Sequence, residues 1–168
     1  MKSKSKWMVP VALLALLSGC ASFDGRGLVA GKSTALEIQA LMGEPADRLK
    51  RTGGDTLWYY SQLPFGRQVY VVTIGADGVM QAIEQTLTRA NVDKIVRDTS
   101  TRDQVRELFG PPYRSTRAAF KPLEVWEYPW REIADKRILW ISFSDDGVVR
   151  EIIEMRDDAN DSPGKGKD

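Results

Sequence analysis

Apolar positions along this chain change their period several times, and the changes come at the same punctuation twice. Ile38, Leu41 and Met42 fall at the i, i+3, i+4 spacing that gives a short helix one buried stripe, and Val105, Leu108 and Phe109 repeat it. Thr34 with Glu37, and Thr101 with Gln104, sit where a capping box would start each helix: the hydroxyl accepts from an early amide and the longer side chain returns to the cap amide. Gly43 and Gly110 stand at the exits, where a glycine turns the chain at little steric cost. Pro45 and Pro112 keep the helix from resuming.

Downstream of each helix the pattern turns to strand chemistry. Segments 56–60 (TLWYY) and 123–130 (LEVWEYPW) are rich in aromatic and branched residues. The apolar runs 69–74 and 79–86 flank Asp77-Gly78, and the runs 138–143 and 148–155 flank Asp146-Gly147, a strong hairpin signal. Each half therefore reads as a short helix packed on a three-stranded antiparallel meander, with an extra helical piece at 91–96 (NVDKIV) bridging the halves. Helices on antiparallel sheets make the fold class α+β. Within the strands, Tyr70, Val72 and Ile74 match Leu139, Ile141 and Phe143 as the expected core set. The alternating set, Val69, Val71 and Thr73 against Ile138, Trp140 and Ser142, is less uniform and is expected to be partly exposed.

The shared punctuation is a duplication. Residues 32–48 lie over 99–115 at an offset of 67, Trp58 over Trp126 at 68, and residues 69–85 over 138–154 at 69. The expected organisation is a first repeat at 28–88 and a second at 89–156. A linker at 20–27 precedes them, and a polar tail at 157–168 without periodicity is expected to be disordered.

The segment before the repeats carries the chain's single cysteine. Lys2, Lys4 and Lys6 precede an apolar run from Trp7 to Leu17, well short of the roughly 20 residues a transmembrane helix needs. Basic start, short apolar centre and small-residue exit are the layout of a secretory signal, here residues 1–19. Leu17-Ser18-Gly19-Cys20 resembles the lipobox of bacterial lipoproteins. That resemblance implies cleavage before Cys20, diacylglycerol and an N-acyl chain on it, and, with Ala21 next, placement in the inner leaflet of the outer membrane facing the periplasm. The other reading is an ordinary signal with Cys20 incidental, but a lone thiol in an exported chain then needs explaining. Removing the signal leaves 149 of 168 residues and, with its three lysines gone, takes the formal charge from +1 to −2. Nothing in that balance points to nucleic acid.

The stretch from Gly31 to Tyr60, with Gly-Lys-Ser-Thr, Leu-Met-Gly-Glu-Pro and Leu-Trp-Tyr-Tyr ahead of an Asp-Gly hairpin, resembles the SmpA/OmlA (BamE-like) family of outer-membrane lipoproteins. Residues 91–112 are similar to that family's paired N-terminal helices. The resemblance implies a non-enzymatic envelope role, with β-barrel assembly machinery subunits and anionic phospholipid as candidate partners beside the membrane anchor. This chain departs from the pattern by carrying two copies, and by placing Glu127 where Tyr59 follows the tryptophan of the first. Tandem helix-plus-sheet units also resemble the architecture of β-lactamase inhibitor proteins, which implies the alternative of a membrane-tethered inhibitor or regulator of an envelope enzyme.

Catalysis is not expected. The chain has no histidine, and no phosphate loop, nucleophile elbow or metal-ligand spacing occurs, so no cofactor or metal is expected beyond the lipid on Cys20. The adjacent acids Asp145-Asp146 and Asp157-Asp158 read as turn and tail residues. Aromatics make the better candidates: Trp126 and Trp130, which with Tyr128 share one sheet face if the strand stays regular, and Trp140, Tyr59 and Phe65, together with Arg67. Packing between the copies is the competing role for each. The segments 61–68 and 129–137 are expected to be matched loops, open to protein or lipid headgroups.

Overall fold

The computed structural model describes residues 23–157; the signal segment, Cys20 and the tail beyond Asp157 lie outside the described residues. The first module contains α1 (Ala35–Met42) and strands β1 (Asp47–Lys50), β2 (Thr56–Ser61), β3 (Val69–Ile74) and β4 (Met80–Gln85). The second contains α2 (Arg89–Val92), α3 (Arg102–Phe109), β5 (Arg114–Arg117), β6 (Glu124–Glu132), β7 (Asp135–Phe143) and β8 (Val149–Arg156). The α+β class holds, but each sheet is an antiparallel meander of four strands, not three, in the orders β1-β2-β3-β4 and β5-β6-β7-β8. The extra strand is the short polar segment after each helix, which pairs Asp47 with Tyr59 and Arg114 with Glu127. The helical piece expected at 91–96 is a single turn ending at Val92.

Duplication extends to individual hydrogen bonds. Both capping boxes form, at Thr34–Glu37 and Thr101–Gln104. Gly43 and Gly110 take positive φ with extended ψ (83° and −165°, 70° and −160°), a conformation that favours glycine at both exits. Each glycine's carbonyl accepts from a tyrosine of its own sheet, Tyr60 at 3.2 Å and Tyr128 at 3.0 Å. Met80 N–H donates to Ser33 at 2.8 Å and Val149 N–H to Ser100 at 2.9 Å, tying each helix entry to its last strand. Pro129 is accommodated inside β6 because Glu127, two residues earlier, turns its carbonyl toward Tyr113, and the β5 pairing ends there at Arg114. The missing N–H therefore points past the end of the neighbouring strand.

The modules stack as alternating layers: α1, the first sheet, α2 with α3, then the second sheet. Ile38 and Met42 of α1 bury Trp58, Tyr60, Val72, Ile74 and Met80. Val105 and Phe109 of α3 bury Trp126, Tyr128, Leu139, Ile141, Phe143 and Val149 in the equivalent way. The same cluster takes in Leu57, Tyr59, Val69 and Val71 from the opposite face of the first sheet. This corrects the expected exposure: Val69 and Val71 are buried by the second module, while Tyr70 of the supposed core set is only half-buried.

Polar contacts seal the junction. Tyr59 Oη donates to Glu107 O at 2.9 Å, and Arg106 pairs with Asp47 at 2.7 Å. Arg67 donates to Arg137 O at 3.1 Å and pairs with Asp157, the side chains of both Arg67 and Asp157 being almost fully buried. Within the second module, Arg89 holds Glu132 at 2.8 Å and Glu154 at 2.6 Å while its guanidinium lies 4.8 Å from the centroid of Trp130.

Candidate functional site

A stack of this kind leaves its last sheet half covered. One face of the second sheet carries Trp126, Tyr128 and Trp130 into the core beneath α3. Strand alternation puts Val125, Glu127, Ile138, Trp140, Ile153 and Met155 on the other. On that face Trp140 stands opposite both Glu127 and Ile153, and its Nε1 donates to Glu127 at 3.1 Å. Ile153 and Met155 are 41% and 37% exposed, and Val125, Ile138 and Trp140 are half-buried. No described helix or strand covers these residues.

The duplication gives this face an internal reference. Val125, Glu127, Ile138 and Trp140 are the counterparts of Leu57, Tyr59, Val69 and Val71, by the offsets of 68 and 69. In the first module that face is where the neighbouring module's helices α2 and α3 dock. The exchange of Tyr59 for Glu127 changes its chemistry. Tyr59 sends its hydroxyl to the backbone of the covering helix, whereas Glu127 presents a carboxylate shared with an indole N–H.

Among the residues singled out by sequence, the structure separates two groups. Tyr59, Trp126 and Trp130 are buried, sharing the core between the modules, and Arg67 is 6% exposed in the junction. Trp140 borders the open face, and Phe65 is 92% exposed at the tip of the β2–β3 connection. The matched-loop expectation fails for 129–137. That segment is the end of a long hairpin whose turn is only Ile133-Ala134, with Ile133 97% exposed. Ile153 and Met155 were missed. Their strand was recognised, but which of its faces stays open depends on how the modules stack.

A cleft of 560 Å³ lies between the modules, floored by Leu57, Val71, Ile95, Val105 and Leu108 and bearing Arg51, Glu84, Lys94 and Glu107. Arg51 is committed to Asp55 and Glu107, and Lys94 donates to Asn91 at 2.7 Å. Tyrosine hydroxyls in the core resist ionisation: burial pushes Tyr60 up to about 12 and raises Tyr59 and Tyr128 further. Among the described residues no group of three or more His, Cys, Asp or Glu side chains is placed to hold a metal, and no helix is long and apolar enough to cross a membrane.

No family model matches the chain, and no curated protein matches it. A solved structure similar to it is that of a DUF4309 family protein, YjgB, from Bacillus subtilis. The two share 16% identity over 79% of this chain and 84% of the other, with a TM-score of 0.31.

Proposed function

We propose that this chain is a non-enzymatic, lipid-anchored protein of the outer membrane, facing the periplasm, whose tandem SmpA/OmlA-like modules bind another envelope protein. One observation carries the binding role: the open face of the second sheet is the counterpart of the face on which the first sheet receives helices. An apolar strip of Ile138, Trp140, Ile153 and Met155 beside the Glu127 carboxylate suits an amphipathic helix bearing a cation at its edge. The lipobox supplies the address, and the family resemblance makes barrel-assembly subunits the first candidates.

The test is in-cell photocrosslinking from a reactive side chain at position 153, with position 36 as control. Leu36 is 78% exposed but lies on α1, at the opposite end of the stack. Adducts with barrel-assembly subunits at 153, absent at 36 and lost with Cys20→Ala, are the expected result. Adducts with one envelope enzyme instead would favour the inhibitor or regulator reading. The same adducts from both positions, or none from 153, would remove the binding role from this face.

A further inference from the structure

Two exposed apolar side chains project from the same end of the molecule. Phe65 stands two residues before Arg67, whose guanidinium donates to Arg137 O at 3.1 Å. Arg137 pairs with Trp130 near the end of the β6–β7 hairpin, and the turn residue Ile133 lies three positions beyond Trp130. Loop and hairpin are thus pinned side by side, with 92% of Phe65 and 97% of Ile133 in solvent. Glu132 and Asp135 bound the hairpin turn and are paired with Arg89, Arg137 and Arg156, and Arg131 and Lys136 stand one position farther back.

Folding does not account for the isoleucine at 133. Ile133 has φ 55° at the first central position of a two-residue hairpin turn, a place where glycine is the rule. A β-branched residue there is sterically disfavoured, and its side chain buries almost nothing in return. Isoleucine at such a site calls for contact with something outside the fold.

The position of the chain's beginning says what. Gly25 packs against β4 so closely that a Cβ on it would stand 2.4 Å from Ile83 Cδ1. Ile83 is two residues from Gln85, which pairs with Tyr70 just past the loop that carries Phe65. Gly25 is only five positions after Cys20, a span of at most about 18 Å. A bilayer holding lipid on Cys20 therefore lies within reach of this end. Aromatic and aliphatic tips backed by long cations, with the acids of the turn paired to arginines, match the water–hydrocarbon interface, where the apolar part enters and the charged heads stay wet.

We infer that Phe65 and Ile133 form a second membrane contact, inserting into the interface of the bilayer that Cys20 anchors, and so fix the orientation of the modules on the membrane. This rests on the lipoprotein reading above. Tethering makes a weak two-residue contact sufficient, because the tips meet the surface at high effective concentration.

Phe120 supplies the control. It is wholly exposed in the β5–β6 turn, at the opposite end of the second sheet. Single cysteines at 65, 133 or 120 would be labelled with a small fluorophore in the mature acylated protein, reconstituted in phosphatidylcholine vesicles. Quenching by aqueous iodide is then compared with the Cys20→Ser protein free in solution, after confirming equal melting midpoints. The expected result is a fall in quenching of about fivefold at 65 and 133 on the vesicles and little change at 120. Labels at 65 and 133 that stay as accessible as the one at 120 would overturn the inference. A protein whose intact mass carries no acyl groups would instead overturn the lipoprotein reading, a separate outcome.

Discussion

Two glycines at equivalent positions should differ in how much a methyl group costs. Gly43 and Gly110 both adopt positive φ with extended ψ, a region essentially closed to other residues, so alanine at either strains the backbone by about 2 kcal/mol. At Gly43 nothing lies within 4 Å of the added Cβ, whereas at Gly110 it would stand 2.6 Å from Tyr59 Cδ1. The Tyr59 ring cannot step aside, being fully buried with its hydroxyl fixed to Glu107 O. Gly110→Ala should therefore cost about 2 kcal/mol more than Gly43→Ala, and chemical denaturation of the two variants measures the difference. Equal losses would mean that Tyr59 is not packed at the junction as described. Ile133→Gly runs the other way: it should raise stability by about 1 kcal/mol by relieving the disfavoured turn.

Helices of eight residues are too short to stand by propensity, so α1 and α3 depend on their caps and on the sheets beneath them. Thr34→Ala and Thr101→Ala should each cost about 1 kcal/mol, because both hydroxyls accept from the third helical amide at 3.3 Å. Similar losses from two sites 67 residues apart would check that the duplication is energetic as well as geometric. The caps, helix exits and hairpins were legible because each is a local signal, a specific residue at a fixed spacing. β1 and β5 were not, since DRLK and RSTR carry one apolar side chain between them and so show no alternation to mark a strand. Nor was the burial of Val69 and Val71, or the openness of Ile153. Both follow from the second module's helices lying on the first sheet, which no periodicity within either repeat encodes. The candidate site was legible only in part, through Ile138 and Trp140 of the set expected to be partly exposed and through Glu127 as a departure between the copies. Tyr59, Trp126 and Trp130 were marked by their chemistry, and the stacking order assigned them to the core.

At the scale of the whole molecule the stack predicts one unfolding transition, because a single buried cluster draws on both modules. Arg67 tests that coupling, since it is buried, belongs to the first module, and its guanidinium bonds to groups near the end of the second sheet, Arg137 O and Asp157. Arg67→Ala should lower stability by about 3 kcal/mol while leaving the transition single. Acid probes a contact inside the second module, between α2 and β6. Hydrogen bonds from Arg89 hold the Glu132 carboxyl below its usual range, with the Arg89 and Arg137 charges acting in the same direction against desolvation. A carboxyl depressed in the folded state stabilises above its unfolded pKa, about 4.3, and that contribution is lost as pH falls through the lower folded value. The melting midpoint should therefore drop on acidification below about pH 4.3, and the drop should be shallower in Arg89→Gln, which loses the largest cause favouring the ionised Glu132 and keeps only Arg137. An unchanged acid slope in that variant would place the proton-sensitive contact elsewhere. A transition that splits in two would show that the modules fold independently, leaving the first sheet's inner face as open as the second sheet's outer one.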